Sequence, residues 1–357
     1  MWASLPLWAR FIEGDAASAM KELPTGSVDL IATSPPFLGL RSYTDDEREL
    51  GKQDPAGYLD GLLAMIAEAR WVLAPHGSLV IEVGDTFSGS GGAGGDMYPG
   101  GMREGRFKPF RQAQHGTWPE PKSLCAVPSL IAVALAYGTH PLTGEPHGAG
   151  KWLLRNHAAW VRPNPRPGFE GDRFRAAWSS VLMLAKEPNR YWHEAAARRD
   201  SRTGRVHPRM YAVKKEGAAI PDVFELAASV PGTGGHQAVW PEPLVARFID
   251  TQCPLVVCEE CGQPSRYVAE EDAWSDCHHD QWRRGLVLDP YCGSGTTMKV
   301  ATGSGRNAIG IDLDGSNYER CLERVGPMFL EQHQPPDERS RDWLMPQQDV
   351  QPREEYL

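Results

Sequence analysis

The chain has 357 residues, of which 41% are hydrophobic, and carries 37 Lys and Arg against 46 Asp and Glu for a net charge of −9. This length can bury a full hydrophobic core and allows one large domain or two ordinary ones. No run of 18 apolar residues occurs and no charged-then-apolar signal segment is present, so we expect a cytoplasmic protein without membrane contact. Seven cysteines, an odd number, argue against a secreted disulfide framework.

The first three predicted elements of the chain are a strand at residues 11–15, a helix at 16–23 and a buried strand at 28–33. The second strand runs directly into a turn made of Ser34, Pro35, Pro36 and Phe37. Two consecutive prolines exclude both a helix and a continued ladder of hydrogen bonds. We therefore expect a rigid turn at the carboxyl end of a parallel strand, where open sheets bind their ligands.

The middle of the chain predicts helices and strands in alternation. Helices are expected at residues 57–73, 124–137 and 241–250, and strands at 78–84, 157–161 and 180–184. Pro75-His76-Gly77 is expected to end the first of these helices. Residues 86–121 are rich in Gly, Pro, Arg and Met without a period, which predicts a mobile flap over the active face.

Positive charge is concentrated in one segment. Residues 151–215 carry 15 Lys and Arg against 5 Asp and Glu, a net +10, whereas the rest carries 22 against 41, a net −19. Such a focused basic region suits contact with nucleic-acid phosphates, although chance clustering on a solvated face is the alternative. The candidate DNA-binding residues are Arg198, Arg199, Arg202, Arg205, Arg209, Lys214 and Lys215.

A glycine turn lies between a short strand, residues 286–288, and the start of a helix. Its candidate ligand-binding residues are Asp289, Pro290, Tyr291, Gly293, Ser294, Gly295, Thr296 and Thr297. The glycines would let backbone N–H groups approach a ligand closely. A phosphate-binding P-loop is the rival interpretation, but it requires Lys-Ser/Thr after the last glycine, where Thr296-Thr297 stands.

A further strand at residues 307–312 ends in Asp312, about twenty residues after the glycine turn. An acid at this place in a doubly wound fold accepts hydrogen bonds from ribose hydroxyls. A solvated acid at a strand end is the alternative, and the pairing with the glycine turn favours the ribose-binding interpretation.

Cysteine spacing predicts a structural zinc ion in an insertion at residues 255–284. Cys258 and Cys261 have the spacing of a zinc knuckle, and 15 residues separate Cys261 from Cys277. His279 is our choice for the fourth ligand, with His278 open as the alternative and Cys253 spare. Reduced cysteines in a surface hairpin are the alternative to a metal site.

Five motifs resemble those of the amino-methylating DNA methyltransferases, which use S-adenosylmethionine, and they follow one another along the chain in the order expected for one group of that family. Residues 289–297 are similar to that family's cofactor motif and residues 33–37 to its catalytic motif. Gly14-Asp15 resembles the acid that precedes the catalytic strand and acts toward the adenine of the cofactor. Residues 236–244 and 160–174 resemble two further segments, although Arg162 stands where lysine is usual. The catalytic motif comes first, which is the circularly permuted order of the group often called beta.

This resemblance implies a Rossmann-like α/β fold, circularly permuted, with a mixed, mostly parallel sheet and helices on both faces. Residues 1–197 would be the catalytic half, 198–235 the basic target-recognition region, 236–331 the cofactor-binding half and 332–357 a flexible tail. The implied cofactor site comprises the glycine-turn residues with Asp15 and Asp312. The implied partner is double-stranded DNA; a homodimer and a place in a restriction-modification system are left open.

The resemblance also assigns the chemistry. Ser34 Oγ and the Pro35 carbonyl would accept hydrogen bonds from the exocyclic amine of a flipped base, Pro36 would keep the turn rigid and Phe37 would stack on the base. Serine rather than aspartate at position 34 favours the N4 amine of cytosine over the N6 amine of adenine. A DNA-binding protein with an inactive methyltransferase fold and a methyltransferase acting on RNA or protein are the alternatives.

Overall fold

The computed structural model describes residues 4–39, 46–89, 116–165, 172–194, 196–199, 218–228, 240–268, 271–274 and 277–332. Its helices are α1 (Ala16–Lys21), α2 (Pro55–Val72), α3 (Val127–Tyr137), α4 (Glu242–Gln252), α5 (Thr296–Gly303) and α6 (Asn317–Val325). Its strands are β1 (Ala9–Glu13), β2 (Val28–Thr33), β3 (Leu73–Val83), β4 (Leu153–Val161), β5 (Trp178–Ala185), β6 (Arg198–Arg199), β7 (Ala218–Ala219), β8 (Val223–Glu225), β9 (Val256–Cys258), β10 (Arg266–Val268), β11 (Glu271–Trp274), β12 (Trp282–Arg284), β13 (Leu286–Asp289), β14 (Asn307–Asp312) and β15 (Leu330–Gln332).

Nine strands form one sheet in the order β15-β1-β14-β13-β2-β3-β5-β4-β8. Strands β15, β1, β14, β13, β2 and β3 are paired in parallel. Strand β5 is antiparallel to β3, β4 is antiparallel to β5, and β8 is parallel to β4. The expectation of a mixed, mostly parallel sheet is confirmed, and strands from both ends of the chain lie side by side in it.

Both faces of the sheet are covered, because successive side chains of a strand point to opposite faces. On β2, Ile31 belongs to a buried cluster that includes residues of α1, α2 and α3. Its neighbours Leu30 and Ala32 belong to a second cluster that includes residues of α4, α5 and α6. The protein is therefore a three-layer α/β structure, and β2 is buried along its whole length, including its one charged residue, Asp29.

The predicted helices and strands are present, several with shifted ends, and the largest boundary error is at the start of β3. Pro75-His76-Gly77 lies inside β3, which starts at Leu73 directly after α2 instead of at residue 78. The pairing of β3 with β2 shifts register between Val28 and Leu30, which accommodates the irregular stretch. Because the His76 ring also hydrogen-bonds the buried Asp29 at 2.9 Å, tertiary contacts override the local turn signal.

Some expectations fall outside the described residues. These are residues 90–115 of the expected flap, positions 202–215 of the basic run, residues 236–239 and 166–171 of the two further family-like segments, and the tail from residue 333. The two ends of the flap meet in the structure. Ser88 N donates to Ser123 O at 2.8 Å and Cys125 N donates to Thr86 O at 2.9 Å, so the described residues on the two sides of the flap lie next to each other.

Among the described residues, none of the helices combines the length and the apolar character needed to cross a bilayer.

Candidate active site

The catalytic-type turn and the glycine turn meet because β2 and β13 are parallel neighbours. Asp289, at the end of β13, is 2% exposed and connects the two turns. Its Oδ1 accepts a hydrogen bond from Thr33 Oγ1 at 2.7 Å, and its Oδ2 accepts one from Thr297 Oγ1 at 2.6 Å. Burial raises the pKa of Asp289 to about 6, although the hydrogen bonds from Thr297 and Thr33 lower it. One carboxylate therefore joins the end of β2, the glycine turn and the start of α5.

The glycine turn has the backbone that its sequence predicts. Gly295, which caps α5, has φ +79°, and a Cβ there would lie 2.9 Å from Cys321 Sγ, so only glycine fits. Gly293 has φ +51°, and a Cβ there would meet nothing within 4 Å. The turn is thus packed against α6 at Gly295 and open beside Gly293, where a ligand has room to approach the backbone.

Asp312 lies beside this opening. Its Oδ2 accepts a hydrogen bond from Gly293 N at 2.8 Å, and its Oδ1 accepts one from Asp314 N at 2.9 Å. Burial raises the pKa of Asp312 above its ordinary value, against these backbone hydrogen bonds. A carboxylate oxygen can accept more than one hydrogen bond, so Asp312 can hold the turn and still bind a hydroxyl.

Asp15 has a structural role at the same edge of the sheet. It caps α1, and its Oδ1 accepts from Ser18 N at 2.9 Å and from Ser18 Oγ at 2.8 Å. Strand β1 pairs with β14 so that Glu13, two residues earlier, lies opposite Asp312. Burial raises the pKa of Tyr291, and the charge of Asp15 adds to this effect. Asp15, Asp312 and Tyr291 thus lie together at the carboxyl ends of β1, β14 and β13.

Contacts from α2 and β3 hold the Ser34-Pro35-Pro36-Phe37 turn. Tyr58 Oη, from α2, donates a hydrogen bond to the Pro36 carbonyl at 3.0 Å. The Phe37 ring packs on the backbone of Gly84, where a Cβ would lie 2.6 Å from Phe37 Cε2. These contacts fix the turn in place, as the double proline predicts.

Sequence analysis missed Glu82, which lies in β3 beside this turn. Ser34 Oγ donates a hydrogen bond to Glu82 Oε2 at 2.5 Å. Glu82 is 2% exposed, and burial raises its pKa, while hydrogen bonds from Ser179 and Ser34 and the charge of Arg162 lower it. The available signal was an acid inside the apolar run Leu79–Val83. Ser34 and Glu82 form a hydrogen-bonded pair that can accept a proton.

Strands β4 and β5 place a cation behind this pair. Arg162 Nη1 donates a hydrogen bond to Ser179 Oγ at 3.0 Å, and its guanidinium lies 5.1 Å from the centre of the Trp160 ring. Burial lowers the pKa of Arg162, whereas the charge of Glu82 raises it. Arg162, which stands where the resemblance expects lysine, therefore supplies positive charge close to Glu82.

The expected zinc ligands come together in the insertion. One ligand atom from each of Cys258, Cys261, Cys277 and His279 lies within 4.8 Å of the others. Cys258 Sγ and His279 Nδ1 are 3.4 Å apart, and Gly262 takes φ +69° after the second thiol. His279, not its neighbour, is thus the histidine of the cluster. The spare cysteine, Cys253, is buried with its thiol directed to Pro254 O.

The basic run is described only at its start, where Arg198 and Arg199 form β6, antiparallel to β7. Two further described residues belong to the family-like segment 160–174. Arg173 lies 4.0 Å from the centre of the Phe87 ring, and Phe174 is fully exposed.

A separate cavity of about 360 Å³ lies between β4, β5 and α4, with Met183, Trp192, Phe248 and Gln252 in its wall. None of the candidate site residues lines it, so it lies apart from the chemistry described above.

Fold and site together define a doubly wound α/β protein with a glycine turn and the hydrogen-bonded Ser34–Glu82 pair at the carboxyl ends of neighbouring parallel strands. A family model described as DNA methylase, for N6 and N4 methyltransferases, matches residues 28–322. The chain therefore belongs to the family of DNA methyltransferases that methylate exocyclic amines.

Individual relatives agree with this family. The chain is 27% identical over 318 residues to "Type II methyltransferase M.Cfr9I" of Citrobacter freundii, covering 89% of this chain and 87% of that protein. It is 26% identical over 320 residues to "Type II methyltransferase M.SmaI" of Serratia marcescens, covering 88% and 90%. The structure of PvuII DNA methyltransferase (cytosine-N4-specific) aligns with a TM-score of 0.54 over 90% of this chain and 88% of that one. At 15% identity, that likeness shows the shared methyltransferase fold.

Proposed function

We propose that this protein transfers a methyl group from S-adenosylmethionine to the exocyclic N4 amine of cytosine at specific sites in double-stranded DNA. The observation that carries the proposal is the Ser34–Glu82 pair, at 2.5 Å, in a rigid turn next to the glycine turn. Family membership supports amine methylation, and serine at position 34 supports cytosine. Two relatives named type II methyltransferases support site-specific action on DNA.

The donor set of the site fits S-adenosylmethionine. Asp312 and Asp15 offer carboxylate oxygens, which suit ribose hydroxyls and an adenine amine. The space beside Gly293 is open to a ligand, and the turn lacks the lysine that a triphosphate would need. When bound, S-adenosylmethionine supplies an electrophilic methyl group on a positively charged sulfur, which keeps the electrons of the broken bond.

The chain's own residues make the target amine a better nucleophile. The lone pair of an exocyclic amine is delocalised into the base, and a hydrogen bond from the amine to an acceptor favours the tetrahedral nitrogen that reacts. Ser34 Oγ accepts that hydrogen bond while its own hydroxyl donates to Glu82. As the new N–C bond forms, the amine nitrogen becomes positive and loses one proton to Ser34 Oγ. The serine proton moves to Glu82 Oε2, and burial favours the neutral acid that results.

Other residues of the turn orient the base. Pro35 contributes its carbonyl as a second acceptor for the amine, and Phe37 stacks on the flipped base. Tyr58 supports this arrangement by holding the Pro36 carbonyl, which keeps the turn from closing on the space that the base must enter. A correctly oriented base is needed because the nitrogen must align with the methyl group and the sulfur.

DNA binding rests on the basic middle of the chain. We assign phosphate contacts to the candidate arginines and lysines of residues 198–215, since a focused positive segment attracts the phosphate backbone. The exposed Phe174, next to Arg173, suits contact with bases that lose their stacking when the target flips out.

We also infer a structural zinc ion bound by Cys258, Cys261, Cys277 and His279. Three thiolates and one imidazole are a usual tetrahedral zinc set, and the four ligand atoms already lie within 4.8 Å of one another. All four positions are taken by protein, which leaves none for substrate, so the ion takes no part in methyl transfer. Metal analysis of the purified protein should find about one zinc per chain.

Nucleoside mass spectrometry on DNA from cells that express the protein tests the reaction. We expect N4-methylcytosine, and none in cells that express the Ser34→Ala variant at the same level. N6-methyladenine instead would keep the mechanism and overturn the choice of base. No methylated base from a folded protein that binds the cofactor would favour the DNA-binding alternative.

A further inference from the structure

Strands β9 and β12, together with the proposed zinc ligands between them, form a unit that we call the hairpin. It lies at the amino ends of β2 and β13, whereas Ser34 and the glycine turn lie at their carboxyl ends. Strand β12 follows the metal ligands, pairs with β9 through Trp282 and Cys258, and is separated from β13 by a single residue, Gly285. The hairpin therefore enters the sheet at the amino end of the strand whose carboxyl end carries the glycine turn.

An arginine of the hairpin reaches a buried acid on the catalytic strand. Arg283 Nη1 donates to Asp29 Oδ2 at 2.6 Å and Nη2 donates to Asp29 Oδ1 at 3.0 Å. This geometry is bidentate, the strongest form of an Arg–carboxylate pair. Asp29 is the second residue of β2 and is 0% exposed, so Arg283 is the cation that balances a fully buried charge.

Asp29 also joins the neighbouring strands. Its Oδ2 accepts a hydrogen bond from Leu286 N, at the start of β13, at 2.7 Å, and its Oδ1 is 2.9 Å from His76 Nε2 of β3. Burial alone would raise the pKa of Asp29, but the charge of Arg283 and the hydrogen bonds from His76 and Arg283 bring it below its usual range. Arg283 is thus the largest of the contacts that favour the charged form of Asp29.

We propose that the Cys258–Cys261–Cys277–His279 metal site stabilises the active site by holding the amino ends of β2 and β13 in position through Arg283 and Asp29. We call this structural coupling the brace. The inference rests on the zinc ion proposed above, but not on the base that is methylated. Arg283 and Asp29 are positioning residues, since they lie at the other end of the strands from Ser34.

The hairpin needs the metal to do this. Its strands β9 and β12 have three residues each, and a two-stranded hairpin of this size is marginal in water without a further constraint. Loss of the ion frees the hairpin, which draws Arg283 away and leaves the buried Asp29 carboxylate with only its contacts to Leu286 N and His76, without the guanidinium that balances its charge.

Loss of the Arg283–Asp29 pair affects the active site because β2 and β13 are hydrogen-bonded to each other by side chains at both their amino and carboxyl ends. Thr33 and Asp289 are joined at the carboxyl ends, and Asp29 and Leu286 at the amino ends, about 13 Å away along β2. Release of the amino ends loosens the register of the strand pair that carries Ser34 and the glycine turn.

Zinc affinity measured by competition with a chromophoric chelator tests the brace in the full chain. Arg283 is not a metal ligand, so Arg283→Met should weaken zinc binding only if the two sites are coupled, and we expect a loss of roughly tenfold. Lys299→Met is the matched control, because Lys299 lies in α5, outside the hairpin, and pairs with Glu242 at the surface, so its loss should leave zinc affinity unchanged.

A second variant and a second measurement cover the case in which Arg283→Met does not fold. Arg283→Lys keeps the charge but loses the bidentate geometry, and should weaken zinc binding in the same direction. In the unaltered protein, removal of zinc should speed hydrogen exchange in residues 286–289 and 28–33, while α3 keeps its protection.

The outcomes separate the brace from the proposals on which it rests. Equal zinc affinity in a folded Arg283 variant, together with unchanged exchange in β2 and β13 after zinc removal, would overturn the brace and leave the zinc site standing. A chain purified without any bound metal, and unable to bind added zinc, would overturn both. Neither result depends on which base is methylated.

Discussion

The role of Glu82 leads to a sharp prediction for the Glu82→Gln variant. Glutamine has nearly the same shape, and its amide oxygen can still accept the hydrogen bond that Ser34 donates at 2.5 Å in the unaltered protein. The variant cannot take up a proton from Ser34. The change therefore leaves the turn in place and removes only the final proton acceptor.

The size of the effect follows from that single loss. Proton transfer to a positioned side chain is worth about 10²- to 10⁴-fold in rate, and the retained hydrogen bond places our expectation at the lower end, near 10²-fold. That is about 2.7 kcal/mol on the barrier. Stability at neutral pH should not fall, because burial raises the pKa of Glu82 and the ionised form is the less stable one in the folded state.

Single-turnover methylation of a DNA duplex, measured across pH, is the assay. The unaltered protein should lose activity as pH falls through the raised pKa of Glu82, because only the carboxylate can accept the proton. Glu82→Gln should show a low rate without this acid limb and an unchanged cofactor affinity. Ser78→Ala, on the same strand, is the control, since the Ser78 hydroxyl is buried and makes no hydrogen bond with the described part of the chain. A full rate in Glu82→Gln, or the same acid limb, would refute the proton-acceptor role.

Three further changes test the rest of the site. Ser34→Ala should lower turnover by orders of magnitude and leave cofactor affinity nearly intact by calorimetry; an unchanged rate would remove Ser34 from the mechanism. Asp312→Ala should weaken cofactor binding, because it removes both the proposed ribose acceptor and the partner of Gly293 N, and unaltered calorimetric affinity would contradict that role. Burial raises the pKa of Asp289 to about 6, so its contribution to stability is full below about pH 4 and is lost as pH rises through about 6. Asp289→Asn should lack this part of the pH dependence, and parallel melting curves of the two proteins at about pH 4 and about pH 8 would show that Asp289 does not titrate as described.

Local signals in the sequence determined the elements that carry the chemistry. Strands β2 and β14 have the predicted bounds, because each is a short, mostly apolar segment that ends at a turn signal. The glycines at 293 and 295 and the double proline after β2 restrict the backbone directly, so their turns could be recognised without any partner. The zinc knuckle was visible for the same reason, since two of its ligands are three residues apart.

Contacts between distant parts of the chain decided the rest. In the sequence, Glu82 is a single acid within a core strand. Its contact with Ser34, 48 residues earlier, arises only when β3 pairs with β2 in the folded protein. Asp289 joins the catalytic turn to the glycine turn across 256 residues, and Arg283 reaches Asp29 across 254. Sequence spacing also left the fourth zinc ligand open, and the folded hairpin brings His279 to the three cysteines. Parallel pairing of strands from opposite ends of the chain is a tertiary property, because a parallel strand pair cannot be joined by a short turn.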